Sequence, residues 1–563
     1  MYKKLTPEQK KCVDKIFRSL TLEEKIGQLV NDRGSQIMGK PDPVSWLKEY
    51  PVGSIFTGSE VIEAHVAGTG RTSSMQKSVE DASLRIPMLY CGDFENGIGG
   101  GIRGYTAMPR TMGVSATFSE KDYFDYGSVI SSEARTLNIR WCFGPVSDIN
   151  FNRENPVINI RSAGDNVEHV SKVVTNIVKG MQSHNCAACP KHFPGDGSDT
   201  RNQHYVTSFN TLSKEEWDRT YGKVYRDLIE AGAMSFMIGH LGFPAYEKAD
   251  PETGLFRPAT CSKKIMTDLL RKELGFEGII VTDALVMFGY CAWGDYEKRI
   301  LDTFNGGADI FLWPDTEKFF ALMKEALQDG RADRKRLDES VKRILAFKLL
   351  LGLIGEGKSV EKEKPADLPA LLKKNGEIAK RIGENSITLL RNRDHVLPLK
   401  LKKGARILLF IAPDKEAPFR YLAKFAGKLK ERGYIVTTAK TRDLHLFEPN
   451  LDLFDSVIFI SDANPQYSEY RGFDTVLWSY MLLLHTRMKN PIMISCGTPY
   501  FLYDVASAPT YINAYHDCEV SVDALIRAMF GEIPFKGRSP VSVPDCFSYG
   551  DGLRLENGKK QKK

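Results

Sequence analysis

Short apolar runs of strand length recur through the first 354 residues. They are Val52 to Phe56, Met88 to Tyr90, Trp141 to Val146, Ala187 to His192, Ser235 to His240, Gly278 to Thr282 and Asp309 to Trp313. Each ends in polar or glycine residues, and amphipathic stretches of helical spacing separate them. Thr21-Leu22-Glu23-Glu24 opens the first of these with a Thr-x-x-Glu capping box. Strands alternating with helices predict an α/β fold with a parallel sheet covered by helices, and continuously apolar strands fit a sheet buried on both faces. The pattern marks seven strands. A closed, TIM-like (β/α)8 barrel over residues 1–354 requires an eighth, which the pattern does not mark.

Past Ile354 the composition turns charged and apolar-poor, with Gly355-Glu356-Gly357-Lys358 and Glu361-Lys362-Glu363-Lys364-Pro365. This predicts a linker at 355–375. A second α/β rhythm follows. Its strands are expected near Ile407 to Ile411, Ile435 to Thr438, Ser456 to Ile460, Ile492 to Ser495 and Thr510 to Ala514. Helical stretches fall at Arg420 to Arg432, Thr475 to Met488 and Val522 to Phe530. The reading is an αβα sandwich over 376–547, then a basic tail over 548–563. No Gly-x-Gly-x-x-Gly follows a strand and there is no Walker phosphate loop.

Polar residues gather where the first set of strands ends. Asp93 and Glu95 follow Tyr90, Asp148 follows Val146, Arg161 follows Asn159, Lys191 and His192 follow Pro190, His240 follows Gly239, and Asp283 follows Thr282. One such residue is ordinarily a helix cap or a loop hydrogen-bonder. Several at the same end of successive strands converge if the strands close into a barrel, whose C-terminal rim carries the active site. Asp, Arg, Lys and His together suit a polyhydroxylated or anionic ligand.

Composition narrows the partners. The 563-residue chain is 42% hydrophobic and 26% charged, with a net charge of +6, as expected of a globular protein of two or more domains. Part of that charge sits in the tail Lys559-Lys560-Gln561-Lys562-Lys563, where no aromatic residues interleave with the lysines, so no nucleic-acid partner is expected. The start, Met1 to Lys11, is too polar for a signal peptide, and no run of about 18 apolar residues suggests a membrane span. The ten cysteines are scattered through apolar stretches, which suits reduced thiols and a cytoplasmic location. Cys186-Ala187-Ala188-Cys189 has no second cysteine pair to complete a zinc site.

Taken together, these residues resemble glycoside hydrolase family 3, in its β-N-acetylhexosaminidase branch. The resemblance runs over nearly the whole chain. It rests on the Asp93/Glu95 motif, Phe143-Gly144-Pro145-Val146-Ser147-Asp148, Asn155 to Ser162, Lys191-His192-Phe193-Pro194-Gly195, and Gly278 to Ala284. Ser386 to Asn392 and Phe530 to Gly537 extend it into the second domain.

The resemblance implies a retaining exo-glycosidase that removes terminal β-linked N-acetylglucosamine from oligosaccharides or muropeptides through a covalent glycosyl-aspartate. Asp283 would be the nucleophile and His204 the acid/base, with Asn202 as its partner. Asp93, Arg161, Lys191 and His192 would bind the sugar, and Arg103 matches a further family arginine less closely. No metal or organic cofactor is implied, and the expected partner is a small carbohydrate. One departure stands out. Where the branch has Asp-x-His, this chain has Asn202-Gln203-His204. The amide can fix the tautomer of His204 but carries no charge to stabilise its imidazolium, so the alkaline limb of activity is expected to move towards acid pH. Asp196 and Asp199 are the neighbouring carboxylates that could supply that charge. A β-glucosidase-type member of the family and a catalytically weak carbohydrate-binding homologue are the alternative readings.

Overall fold

The computed structural model describes residues 1–57, 74–355, 367–412, 422–440, 444–462, 487–556 and 559–562. The chain divides into two compact units. The first comprises Met1–Thr106, Phe124–Asp148 and Val174–Lys373; the second comprises Ala107–Tyr123, Ile149–Val173 and Lys374–Lys563. Two excursions from the N-terminal half, 107–123 and 149–173, thus group with the C-terminal part of the chain.

The first unit is a ring of parallel strands. They are β1 (Val30–Arg33), β2 (Ser54–Phe56), β3 (Leu89–Gly92), β4 (Ile139–Cys142), β5 (Ala187–Ala188), β6 (Ser235–Ile238), β7 (Ile279–Thr282) and β8 (Phe311–Leu312). β8, β1, β2, β3, β4 and β5 form one continuous sheet, and β6 pairs with β7. Two bridges join these pieces, Phe193 with Ile238 and Val281 with Ile310, so eight strands close into the expected barrel.

The eighth strand is β1, reached directly from the capped helix Leu22–Gln28. Its sequence, Val-Asn-Asp-Arg, is too polar to read as a buried strand. The Asn31 amide nitrogen and the Asp32 carboxylate find partners inside the ring. Asn31 donates to Ser54 Oγ at 3.0 Å and to Cys91 Sγ at 3.1 Å, and Asp32 accepts from Thr316 Oγ1 at 2.6 Å. Burial here costs little because hydrogen bonds replace those lost to water.

Charged residues hold the opposite, N-terminal end of the barrel. Lys348 is fully buried and donates to Gln28 Oε1 (2.8 Å), Gly53 O (2.8 Å) and Pro87 O (2.9 Å), stitching together the starts of β1, β2 and β3. Asp309 is buried among Arg271, Arg336 and Arg343, which hold its carboxyl far below the usual range against the opposing effect of burial.

The second unit is built on a sheet of six strands, β9 (Thr388–Asn392), β10 (Arg406–Ala412), β11 (Ile435–Lys440), β12 (Ser456–Ser461), β13 (Pro491–Ser495) and β14 (Thr510–Asn513). Their order is β9-β14-β13-β12-β10-β11, with every pair parallel except β9 with β14. Five of these are the strands expected from the sequence. β9 was not, since its Thr-Leu-Leu-Arg-Asn follows a helix without a turn signal. Helices Leu422–Glu431 and Glu519–Met529 answer two expected helical stretches; residues 475–486 of the third lie outside the described residues.

Residues 356–366 of the expected linker also lie outside the described residues. From Leu368 the chain is already in a helix, Leu368–Ser386, so 368–375 is helical rather than linker. The tail is not bare either: Arg554–Glu556 pairs antiparallel with Lys559–Lys562. Among the described residues no helix is long and apolar enough to cross a membrane.

Candidate active site

The barrel's C-terminal rim carries the candidate chemistry. Asp283 is the first residue past β7, and its backbone N–H donates to Ile238 O on β6 at 2.9 Å. Its Oδ1 accepts from the N–H of Ala284 at 2.7 Å. Burial alone would push this carboxyl up. The imidazoles of His192 and His240, the Ala284 N–H and the imidazole of His204 outweigh it and hold the group below its ordinary value of 3.8. An ionised carboxylate at neutral pH is what a glycosidase nucleophile requires.

Lys191 and His192 come from the strand extension that carries β5 on to its bridge with β6. Lys191 is 3% exposed and bridges two carboxylates, Asp93 Oδ1 at 2.6 Å and Glu95 Oε1 at 2.9 Å. Asp93 remains about half exposed, so it can still accept from hydroxyls of a ligand. Glu95 is anchored from behind, where its backbone carbonyl accepts from the Tyr126 hydroxyl.

His192 is held by Asp148, whose side chain is fully buried. Asp148 Oδ2 accepts from His192 Nδ1 at 2.7 Å, and Oδ1 accepts from the backbone N–H of His192 at 3.1 Å and of Asp196 at 2.7 Å. A carboxylate accepts only, so Nδ1 carries the hydrogen. That leaves Nε2 facing Asp283 Oδ2 at 3.9 Å, a gap that a ligand hydroxyl can bridge.

His204 lies on the loop after the Pro194-Gly195 turn. Its Nδ1 and its backbone N–H both donate to Asn202 Oδ1, at 2.7 Å and 3.0 Å. The loop is tied to the segment following the nucleophile, since Phe288 N donates to His204 O and Gly289 N to Gln203 O, both at 3.1 Å. Gln203 also accepts from the backbone N–H of His240 at 2.8 Å. His240 donates Nε2–H to Ala284 O at 3.0 Å, and burial lowers its affinity for a second proton. Asp196 accepts from Gly197 N at 2.6 Å and from Gln203 Nε2 at 3.4 Å, while Asp199 holds Arg201 Nε and Phe209 N, each at 2.8 Å.

Of the residues singled out from the sequence, Asp93, Lys191, His192, Asn202, His204 and Asp283 all belong to the first unit. The contacts above link Lys191 to Asp93, His204 to Asn202 and His192 to Asp283. Arg103 also belongs to that unit but is exposed and joins none of these contacts. Arg161 belongs to the second unit, on a turn at Asn159–Arg161, where its guanidinium donates to Val157 O at 3.0 Å. Asp148, Glu95, His240 and Gln203 had no assigned role. The first three do stand in the strand-end pattern, which was their available signal; Gln203 gave none.

The residues from 21 to 347 match the family model for the glycosyl hydrolase family 3 N-terminal domain. The chain is 32% identical to a β-N-acetylglucosaminidase/β-glucosidase of Cellulomonas fimi, over 82% of this chain and 85% of that protein. It is 28% identical to β-hexosaminidase A of Pseudoalteromonas piscicida, over 89% and 91%. Among solved structures it is similar to a family 3 β-N-acetylglucosaminidase from Paenibacillus sp. FPU-7 (TM-score 0.78, 26% identity, 93% of this chain and 99% of that one). It is also similar to the β-glucoside phosphorylase BglX (TM-score 0.79, 28% identity, 96% of each chain). A (β/α)8 barrel whose C-terminal rim carries these polar side chains is an enzyme framework, and the family match over residues 21–347 shows that this chain belongs to glycoside hydrolase family 3.

Proposed function

We propose that the protein is a retaining exo-β-N-acetylglucosaminidase, acting in the cytoplasm on amino-sugar oligosaccharides or muropeptides. The observation that carries this reading is Asp283, held ionised beside His192, with the His204 loop tied by Phe288 to the segment behind it. In the first step Asp283 attacks the anomeric carbon while His204 gives a proton to the departing oxygen. In the second step His204 removes a proton from water, which displaces the aspartate. Asp93, Lys191 and His192 bind the sugar hydroxyls, and charge strengthens those hydrogen bonds. The names of the C. fimi and P. piscicida relatives support the N-acetyl preference.

The test uses an aryl β-N-acetylglucosaminide and an aryl β-glucoside side by side, with Asp283→Ala as control. Preferential release from the N-acetyl substrate, lost in the variant, is expected. Retention is checked by NMR of the first-formed anomer and by mass spectrometry of a peptide carrying a trapped sugar on Asp283. Inverted product overturns the covalent route.

A second reading concerns the acceptor. The group bonded to His204 Nδ1 is a neutral amide, which does not repel a phosphate dianion as a carboxylate would. The whole-length likeness to a protein named β-glucoside phosphorylase supports phosphate, rather than water, completing the second step on β-glucosides. Phosphorus NMR of a reaction run with inorganic phosphate separates the two: a glycosyl phosphate supports this reading, and free sugar alone excludes it.

A further inference from the structure

Asp309, just before β8 at the N-terminal end of the barrel, is offered more donors than it can serve. Its Oδ1 accepts from Ser340 Oγ at 2.7 Å, from Arg336 Nη2 at 3.4 Å and from Arg343 Nη1. Its Oδ2 accepts from Arg271 Nη2 and from the N–H of Ile280 at 3.0 Å. A carboxylate has about four lone-pair sites, so these donors exhaust it. Three guanidiniums against one carboxylate leave the cluster with a net charge of +2. Neighbouring carboxylates do not make up the difference. Glu277 pairs with Lys3 at 3.5 Å, and Glu339, which acts on Arg336, stands in solvent.

The three cations are unequally satisfied. Arg271 Nη1 also donates to Phe276 O at 3.1 Å and to Gly278 O. Arg336 also donates to Ala308 O at 2.7 Å and to Ser340 Oγ. Arg343 donates to Asp309 alone among the described residues, although a guanidinium carries five N–H groups. Its side chain is 21% exposed, against 15% for Arg336 and 14% for Arg271, so it is the arm that solvent reaches most. Burial, with Arg343 and Arg336 beside it, brings Arg271 down to about 9 against the pull of Asp309. Cations crowded together in a partly buried place are stabilised by an added negative charge.

We propose that Arg343, Arg336 and Arg271 together bind a tetrahedral oxyanion, either inorganic phosphate or the phosphate of a small monoester, at the end of the barrel opposite Asp283. The unspent N–H groups of Arg343 form a fork that can take two phosphate oxygens side by side. Arg336 and Arg343 stand seven residues apart on the helix Arg334–Leu350, hence two turns apart on one face. Through Arg271, which also holds Gly278 O before β7, and through Asp309 before β8, the bound anion ties that helix to the starts of two strands. The stability of the barrel then rises with the concentration of the anion. This ligand is independent of the reaction carried out at the other end of the strands.

The test is titration calorimetry of the full chain with inorganic phosphate, glucose 6-phosphate and glucose, the ionic strength being held constant with chloride. A Kd on the order of 1 mM is expected for phosphate or for the ester, and no binding of glucose. At about ten times that Kd the thermal midpoint should rise by roughly 2–4 °C over the chloride control. Arg343→Gln removes the fork and should weaken binding at least tenfold, by about the worth of one charge-assisted hydrogen bond. Arg336→Gln should weaken it several-fold. That second variant leaves Asp309 paired with Arg271 and Arg343, so it decides the matter where Arg343→Gln does not fold. Tighter binding of glucose 6-phosphate than of phosphate assigns the site to a monoester, and the reverse order assigns it to the free ion. Absence of binding by both overturns the proposal. So does binding that survives unchanged in the Arg variants, since the anion then sits elsewhere, among the reacting groups.

Discussion

Nδ1 of His204 stands 2.7 Å from Oδ1 of Asn202, and the same oxygen accepts the His204 backbone N–H at 3.0 Å. One amide oxygen therefore sets both the ring's tautomer and its place on the loop, and leaves Nε2 as the atom for proton transfer. What the amide does not provide is charge. The other end of Asn202, Nδ2, is buried without a hydrogen-bond partner among the described residues.

Asn202→Asp adds that charge at the same distance. A carboxylate beside the ring favours the imidazolium, so His204 keeps its proton to higher pH. Because the proton is needed in the first step, the alkaline limb of kcat/KM should move up by about one pH unit. A pH–rate profile of the two proteins measures it, and superimposable limbs would show that Asn202 only positions the ring. Its second oxygen enters a buried spot with no donor, so the thermal midpoint should not rise.

Asp148→Asn tests the positioning of His192. Two backbone N–H groups, of His192 and Asp196, need the oxygen of residue 148. The new amide NH2 therefore turns to His192 Nδ1, which must accept instead of donate. The ring hydrogen moves to Nε2, towards Asp283. A loss in kcat/KM of roughly 10²-fold is expected, with only about 1–3 kcal/mol lost in stability. Ring-nitrogen NMR of His192 reports the tautomer directly; an unchanged spectrum with lost activity would place the role of Asp148 elsewhere.

How far the sequence carries is visible in these same residues. Asp283, Lys191, His192 and Asp93 were legible because each ends an apolar run, and strand ends share one rim once a parallel barrel closes. Asp148 and His240 showed the same signal but no hint of function, since their partners, Asp196 and Ala284, are set by loop geometry. Gln203 looked like filler between Asn202 and His204. β1 was hidden because Asn31 and Asp32 are buried polar residues, which periodicity cannot tell from a loop until their partners, Ser54, Cys91 and Thr316, are brought to them. The excursions at 107–123 and 149–173 carry no compositional mark at all, because they join the second unit only through tertiary packing such as Asn150 Nδ2 to Tyr500 Oη at 2.6 Å.

His192→Gln shifts the acid limb. Among the influences that lower the Asp283 carboxyl against the effect of burial, the imidazole of His192 is the largest. Removing it leaves burial less opposed, so Asp283 should take up its proton at higher pH. The acid limb of kcat/KM should rise towards and past the ordinary carboxylate value, on top of a uniform loss from weaker sugar binding. Profiles recorded between about pH 3 and 6 separate the two effects. A drop in rate with an unmoved limb would mean that His192 binds sugar without tuning the nucleophile.

The buried lysine at the other end of the barrel makes stability depend on pH. Burial drives the Lys348 ammonium down to about 7 from its ordinary 10.5, even though it donates to three oxygens. Between these two values the unfolded chain binds more protons than the folded one, so this group adds stability as pH rises from about 7 and the addition is complete near 10.5. Lys348→Met abolishes that slope and leaves Gln28 Oε1, Gly53 O and Pro87 O without their donor, at about 1–3 kcal/mol for each acceptor that finds no water. The variant should be less stable at every pH, and the gap to wild type should widen from pH 7 to pH 9.5. Urea denaturation at both values measures it. A gap that stays constant would mean that the three oxygens hold Lys348 charged throughout the range.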